Sequence, residues 1–188
     1  MSITASAQLD LFRIALLDYL NDDREAWREA VAALQIASFE ARPASRYMPP
    51  HWPEVPLSLG PALSAARSLL HWQRNPNYAQ AAFVHNYCYC ELMGPEGHAR
   101  NPHFALGLLY LNEHTHYPAH AHPAEEIYHV LTANSQWRSG SKAWQVHTAG
   151  DRIFHPARVP HEMKTHDQPL LALYLWRGDI LTKAEPLV

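Results

Sequence analysis

Cysteine is scarce: Cys88 and Cys90 are the only two in 188 residues. Two positions apart in a strand, they would share a face and be badly placed to bridge each other. A disulfide-stapled scaffold is therefore excluded, and free thiols point to a reducing cytoplasm. A CxC metal site would lack further cysteines to complete its ligands. No stretch approaches the roughly 18 continuous apolar residues of a membrane helix. The first ten residues, Met1 to Asp10, lack the basic start and apolar run of a secretory signal. Lys and Arg are scattered, and the formal net charge is -3. No basic face is available for nucleic acid. With 47% apolar and 18% charged residues, the composition is that of one globular domain.

Histidine and proline are abundant instead, at 14 and 15. The chain reads first as helix. Leu9, Phe12, Leu16, Leu17 and Leu20 recur at three- and four-residue steps, which predicts a helix over Ala7 to Leu20 with Ser6 as N-cap. Asn21-Asp22-Asp23 breaks it, and Asp22 or Asp23 can cap a second helix running to about Phe39, with Trp27, Val31, Leu34 and Ile36 inward. Five prolines between Arg42 and Pro56 preclude a regular helix or inner strand. Tyr47, Met48, His51 and Trp52 make this segment more aromatic than a solvated linker. It reads as a strap lying on the body, over the mouth of a pocket. A third helix is expected from about Leu59 to Trp72.

The period changes at Ala81. Phe83 to Leu92 and Phe104 to Leu111 read as strands, Gln136-Trp137-Arg138 and Ala143 to His147 as a hairpin, and Leu170 to Trp176 as a last apolar strand. Short strands with Gly and Pro turns predict a mostly β barrel or jelly roll over 81–188. Residues 1–80 supply the helices and strap packed on it, as one structural unit.

The chemistry concentrates in Tyr117-Pro-Ala-His120-Ala-His122-Pro-Ala-Glu-Glu126-Ile-Tyr128. Side chains at i and i+2 of a strand share a face. His120 and His122 therefore point the same way, and Glu126 and Tyr128 share that parity across a bend at Pro123-Ala124. Neutral imidazoles with a carboxylate suit a divalent first-row metal. The segment Gly150-x5-Pro156-x4-His161 has the form of a strand, a proline turn and a strand opening on a histidine, so His161 can complete the set. His114 and His116 share the parity of His120, but Pro118 interrupts the strand; His129 is on the opposite parity from Tyr128 and faces away; His85, His147, His155 and His166 have no partner visible in the sequence.

His-x-His-x3-Glu followed some forty residues later by Gly-x5-Pro-x4-His resembles the two motifs of the cupin superfamily, over roughly residues 81–178. One departure is the turn Ala157 to Pro160, longer than usual and without its glycine. With its tyrosines, Tyr117-x-x-His120-x-His122-x3-Glu126-x-Tyr128 resembles the signature of the cupin-type dimethylsulfoniopropionate lyases of marine bacteria, the DddQ subgroup in particular. The helical first third and Trp176 fit that subgroup.

The resemblance implies a cupin barrel behind an N-terminal helical segment, and one divalent transition metal ion (Zn, Fe, Mn, Co or Ni) on His120, His122, Glu126 and His161. It implies a carbon-sulfur lyase acting on a small zwitterionic sulfonium substrate. The substrate carboxylate would meet the metal, a tyrosinate would remove the adjacent proton, and dimethyl sulfide would leave acrylate. Tyr117 and Tyr128 are the candidate bases, with Tyr117 favoured and Tyr128 beside the metal. The sulfonium needs an aromatic lining, which Trp176, Tyr47 and Trp52 could supply. The same ligand set would serve an Fe(II) dioxygenase or a cupin that only binds a small ligand. No nucleic acid or membrane partner is expected, and a homo-oligomer is compatible with the sequence.

Overall fold

The computed structural model describes residues 4–187 apart from Ala44, Gln80 and Ala133. Three helices come first: α1 (Ala5–Asn21), α2 (Arg28–Ile36) and α3 (Gly60–Ala66). The strands follow as β1 (Trp72–Gln73), β2 (Tyr87–Gly94), β3 (Ala99–Arg100), β4 (Phe104–Leu111), β5 (His116–Ala121) and β6 (Glu125–Val130). Then come β7 (Ser135–Ser139), β8 (Gln145–His147), β9 (Arg152–His155), β10 (His161–Lys164), β11 (Leu170–Arg177) and β12 (Glu185–Pro186). They form two sheets, one ordered β1-β2-β4-β11-β6-β9 with β3 beside β2, the other β12-β5-β10-β7-β8. All pairs are antiparallel except β2 with β3. This is the mostly β cupin barrel with a helical N-terminal segment that the sequence led us to expect. Among the described residues no helix is long and apolar enough to cross a membrane.

Why β4 and β11 read as unbroken apolar runs is clear from their two faces. Leu106, Leu108 and Tyr110, with Leu171, Leu173 and Leu175, join one buried cluster with Leu9, Phe12 and Leu16 of α1 and Trp27, Val31 and Leu34 of α2. The opposite face carries Ala105, Leu109, Ala172 and Tyr174 into the barrel. A strand covered on both sides loses the apolar–polar alternation of a half-exposed one. The inward residues of these central strands are partly small, namely Ala105, Gly107 and Ala172, and they leave room inside.

Several expected boundaries move. Thr4, not Ser6, caps α1, its side chain accepting from the Ala7 amide. The second helix begins at Arg28 after a turn, with no side-chain cap from Asp22 or Asp23, and ends at Ile36, which is 90% exposed rather than inward. Phe39 lies beyond it in extended chain and packs on Phe12. The third helix stops at Ala66, because Trp72 is claimed by the sheet, where it pairs with Cys90. The Trp72 indole also donates to the Arg67 carbonyl just past the helix end, which satisfies a group the helix leaves open.

Behind the barrel wall, Glu162 ties three strands. Its carboxylate takes hydrogen bonds from His116 of β5 at 2.7 Å and from Arg138 of β7 at 2.6 Å, and it stands next to His161 on β10. Burial opposes its ionisation, but those two bonds outweigh it and hold the carboxyl below the usual range. A depressed folded-state value means stability that is present above the unfolded pKa and lost as pH falls through the folded one. Glu162→Gln should therefore cost about 1 kcal/mol at pH 7, since both partners are half-exposed and screened. Melting curves at pH 7 and pH 3 should show the gap to the parent narrowing on acidification. An equal gap at both would remove the ionised carboxylate from the account.

Candidate metal centre

His120 sits near the end of β5, His122 just past it, and His161 opens β10, paired with His120. Their ligating nitrogens lie within 4.8 Å of one another, and all three residues are buried. Each Nδ1 faces a backbone carbonyl two residues away: His120 with Pro118 at 3.0 Å, His122 with Ala124 at 2.9 Å, His161 with Val159 at 3.0 Å. A carbonyl only accepts, so each Nδ1 carries the hydrogen and each Nε2 offers its lone pair to the common centre.

Glu126 of β6 enters from the facing sheet. Its Oε2 lies 3.1 Å from His122 Nε2 and 3.2 Å from His161 Nε2. The His161 Nε2 is buried and makes no hydrogen bond. Burial opposes ionisation of Glu126, yet the His122 hydrogen bond and the nearby His122 and His161 rings hold it well below the carboxylate range. Burial opposes the His122 cation as well, and the Glu126 bond overrides it upward. Burial, with His161 beside it, pushes His120 well down. Lone pairs and a carboxylate crowded this closely require a cation between them, a proton or a metal ion. Three imidazoles that could hold a metal, with a carboxylate against two of them, fit a divalent first-row ion and leave coordination positions open.

A bulge brings in Tyr117. His161 pairs with His120 and Met163 with Tyr117, so Pro118 and Ala119 stand opposite the single residue Glu162. Two residues against one reverse the parity of β5. Tyr117, on odd parity, thereby turns inward with His120, and the two rings stack at 4.2 Å and 4°. Tyr128 is buried on β6, paired with Tyr174 of β11. Burial holds both phenols well above 10; at Tyr128 the Glu126 charge adds most, at Tyr117 the neighbouring phenols.

Trp176 does two things at once. Its indole donates to Glu126 Oε1 at 2.6 Å, and its ring lies 4.1 Å from that of His122. It also lines the cavity with Tyr117, His120, Glu126 and Tyr128. Tyr47 and Trp52 are elsewhere. Both pack against the helix-side cluster, Tyr47 under Arg46 and Arg74, Trp52 on Trp72 with its indole on Ser64. Neither lines the cavity. The strap covers the helix-side face, where its aromatic side chains pack on the apolar cluster.

Residues without an obvious sequence signal complete the site. Tyr87, Tyr89 and Glu91 of β2 and Tyr174 line the cavity, with Ile180 and Lys183 from the segment after β11. His155 is fully buried, stacked on His161 at 4.1 Å, with neither ring nitrogen hydrogen-bonded. Burial, then His161, pushes it down to about 3, so it is a neutral wall behind His161. Its register opposite Glu126 could be found only by pairing β6 with β9.

A sequence profile for dimethylsulfoniopropionate lyase matches residues 58–172, more than half of the chain. The dimethylsulfoniopropionate lyase DddQ of Ruegeria pomeroyi is 35% identical over 124 residues, covering 64% of this chain and 61% of that protein. A putative lyase of the same substrate, DddL of Cereibacter sphaeroides, is 30% identical over 155 residues, covering 74% of this chain and 66% of that protein. The chain thus spans under two thirds of the Ruegeria relative's length. The crystal structure of DddQ from Ruegeria pomeroyi superposes with a TM-score of 0.71 at 26% identity, over 92% of this chain and 95% of that one. On this fold, this cavity and this profile, the chain belongs to the dimethylsulfoniopropionate lyase family.

Proposed function

We propose that the cavity cleaves dimethylsulfoniopropionate by β-elimination, giving dimethyl sulfide and acrylate. The observation that carries the reading is the set of three imidazoles with their Nδ1 atoms committed to backbone carbonyls and their Nε2 atoms converging beside a buried carboxylate. His120, His122, His161 and Glu126 would hold a divalent ion. Bound there, it supplies a Lewis-acidic positive charge for the substrate carboxylate and a nearby phenolate.

The rest falls to the protein's own side chains. Tyr117 is the base. It takes the proton from the carbon next to the carboxylate, the freed pair becomes the carbon–carbon double bond, and the carbon–sulfur pair leaves with sulfur. The sulfonium becomes neutral dimethyl sulfide, and the proton stays on the phenol oxygen. Tyr117 is favoured over Tyr128 because a phenolate at Tyr128 would stand beside Glu126, whereas the groups acting on Tyr117 are phenols. Trp176 fixes the Glu126 carboxylate through its second oxygen. The apolar and aromatic walls exclude water from the reacting carbons. The unpaired Cys88 and Cys90 support a reducing compartment for this enzyme.

The direct test is purified protein, loaded in turn with Zn, Fe(II), Mn, Co and Ni, given dimethylsulfoniopropionate. Headspace chromatography should find dimethyl sulfide with acrylate in equal amount. No product with any of the five metals overturns the reading.

A further inference from the structure

Glu91 is a buried carboxylate with no ion-pair partner among the described residues, Lys183 and Arg100 acting on it only from a distance. It is 7% exposed and lines the same cavity as His120 and Glu126. Its Oε1 accepts from the Glu96 amide at 2.5 Å. Gly94 makes that possible, since a Cβ there would lie 2.5 Å from the same oxygen. No Lys, Arg or His nitrogen forms an ion pair with Glu91 among the described residues. Lys183, the cation nearest in the lining, is engaged with the Tyr89 hydroxyl at 3.3 Å and with Glu96 at 3.7 Å. A charge taken out of water without a partner is costly, and burial pushes the Glu91 carboxyl up accordingly. The natural partner is a cation arriving in the cavity.

The sheet places this carboxylate on the same wall as the catalytic end. Glu91 pairs with Gly107, Gly107 with Tyr174 and Tyr174 with Tyr128, one row across four strands with all members facing inward. Four strands at about 4.8 Å spacing put some 14 Å between the two ends of the row, and side chains from both ends shorten that gap. Gly107 is required midway, because a Cβ there would lie 2.4 Å from the Tyr174 hydroxyl and 2.3 Å from the Cys90 carbonyl. Tyr174 thus leans over β4 toward Glu91, with Tyr89 two residues along β2 and Trp176 two along β11.

We propose that Glu91 is the specificity-determining counter-charge of this cavity, forming with the Tyr89, Tyr174 and Trp176 rings a subsite for a cation without N–H groups. On the lyase reading, that cation is the substrate's sulfonium. A sulfonium offers no hydrogen bond, so only an opposite charge and ring faces hold it in preference to a neutral group of the same shape. The imidazole end then recognises the carboxylate, and Glu91 recognises the charge of the other end.

The test compares two non-reacting ligands of one shape, 3-(trimethylammonio)propionate and its neutral isostere 4,4-dimethylpentanoate, by calorimetry on zinc-loaded protein. Unmodified protein should bind the cationic ligand at least about tenfold more tightly. Glu91→Gln, which keeps the acceptor for the Glu96 amide, should bring the ratio to about twofold and leave the neutral ligand's affinity unchanged. With dimethylsulfoniopropionate it should raise KM about tenfold with kcat little changed. Equal binding of both ligands by unmodified protein, no binding of either, or an unchanged ratio in the variant overturns the proposal. Should Glu91→Gln fail to fold, equal binding of the two ligands by unmodified protein still overturns the proposal. A tenfold ratio without dimethyl sulfide production keeps the subsite and removes the lyase; dimethyl sulfide with an unchanged variant ratio removes Glu91 alone.

Discussion

His161→Ala should lose at least nine tenths of its bound metal and form dimethyl sulfide about a thousandfold more slowly, while remaining folded by circular dichroism. The expectation follows from the position of the Nε2 atom. It is buried, makes no hydrogen bond, and lies 3.2 Å from Glu126. Two imidazoles and a carboxylate remain in the variant, a set with one fewer donor and a new space where water can enter. His116→Ala is the control. His116 is on the same strand as His120, but its side chain is half-exposed and bonds Glu162 on the outer face, so its loss should leave metal content unchanged. Melting gives a second readout independent of turnover. Metal at a hundredfold excess over its dissociation constant stabilises by about 2.7 kcal/mol, worth roughly 5–10 °C in a chain of this size. A chelator should lower the melting temperature of the parent by that amount and leave His161→Ala where it was. A variant with full metal content would take His161 out of the centre.

Most of the candidate metal centre was legible because the cluster depends on short spacings. His120 and His122 share a face by strand parity, and the bend at Pro123-Ala124 returns the chain so that Glu126 meets them. His161 needed the second motif, Gly150-x5-Pro156-x4-His161, since nothing in its own neighbourhood marks it. What parity alone gets wrong is Tyr117. Two residues from Pro118 to Ala119 face one on β10, and a bulge of this kind is a property of the pair of strands, not of either sequence.

The far wall of the cavity was hidden for a related reason. Tyr87, Tyr89 and Glu91 sit in a strand whose other face, Cys88, Cys90 and Leu92, is buried under the helices. Burial on both faces erases the alternation that would have flagged Glu91 as an inward polar residue. The strap erred in the opposite direction. Its aromatic content announced contact with an apolar surface, but the helix-side sheet face and the barrel mouth are both apolar, and local sequence does not choose between them. Trp176 lines the cavity, a position that follows from β11, whereas its bond to Glu126 depends on the β11–β6 register that pairs the two residues.

Tyr117→Phe should lower kcat by about 10²–10⁴-fold, the range for removing a positioned general base. Metal content and the affinity for 3-(trimethylammonio)propionate should stay at parental values, because the ring remains stacked on His120 and only the hydroxyl is gone. Tyr128→Phe separates the two phenols. It too should cut turnover, and its metal content should fall only if the Tyr128 oxygen is a ligand. The pH profile carries the sharper distinction. A phenol must lose its proton to act as base, so kcat/KM should climb as pH rises above neutrality. Burial, then Tyr87 and Tyr78, holds the Tyr117 phenol well above 10, and positive charge at the imidazole cluster would act against that. Replacing zinc by a metal that acidifies oxygen ligands less should move the rising limb to higher pH in the parent. In Tyr117→Phe the residual rate should lack that limb altogether. Near-parental rates in both phenylalanine variants would remove tyrosine from the chemistry and leave another group to take the proton.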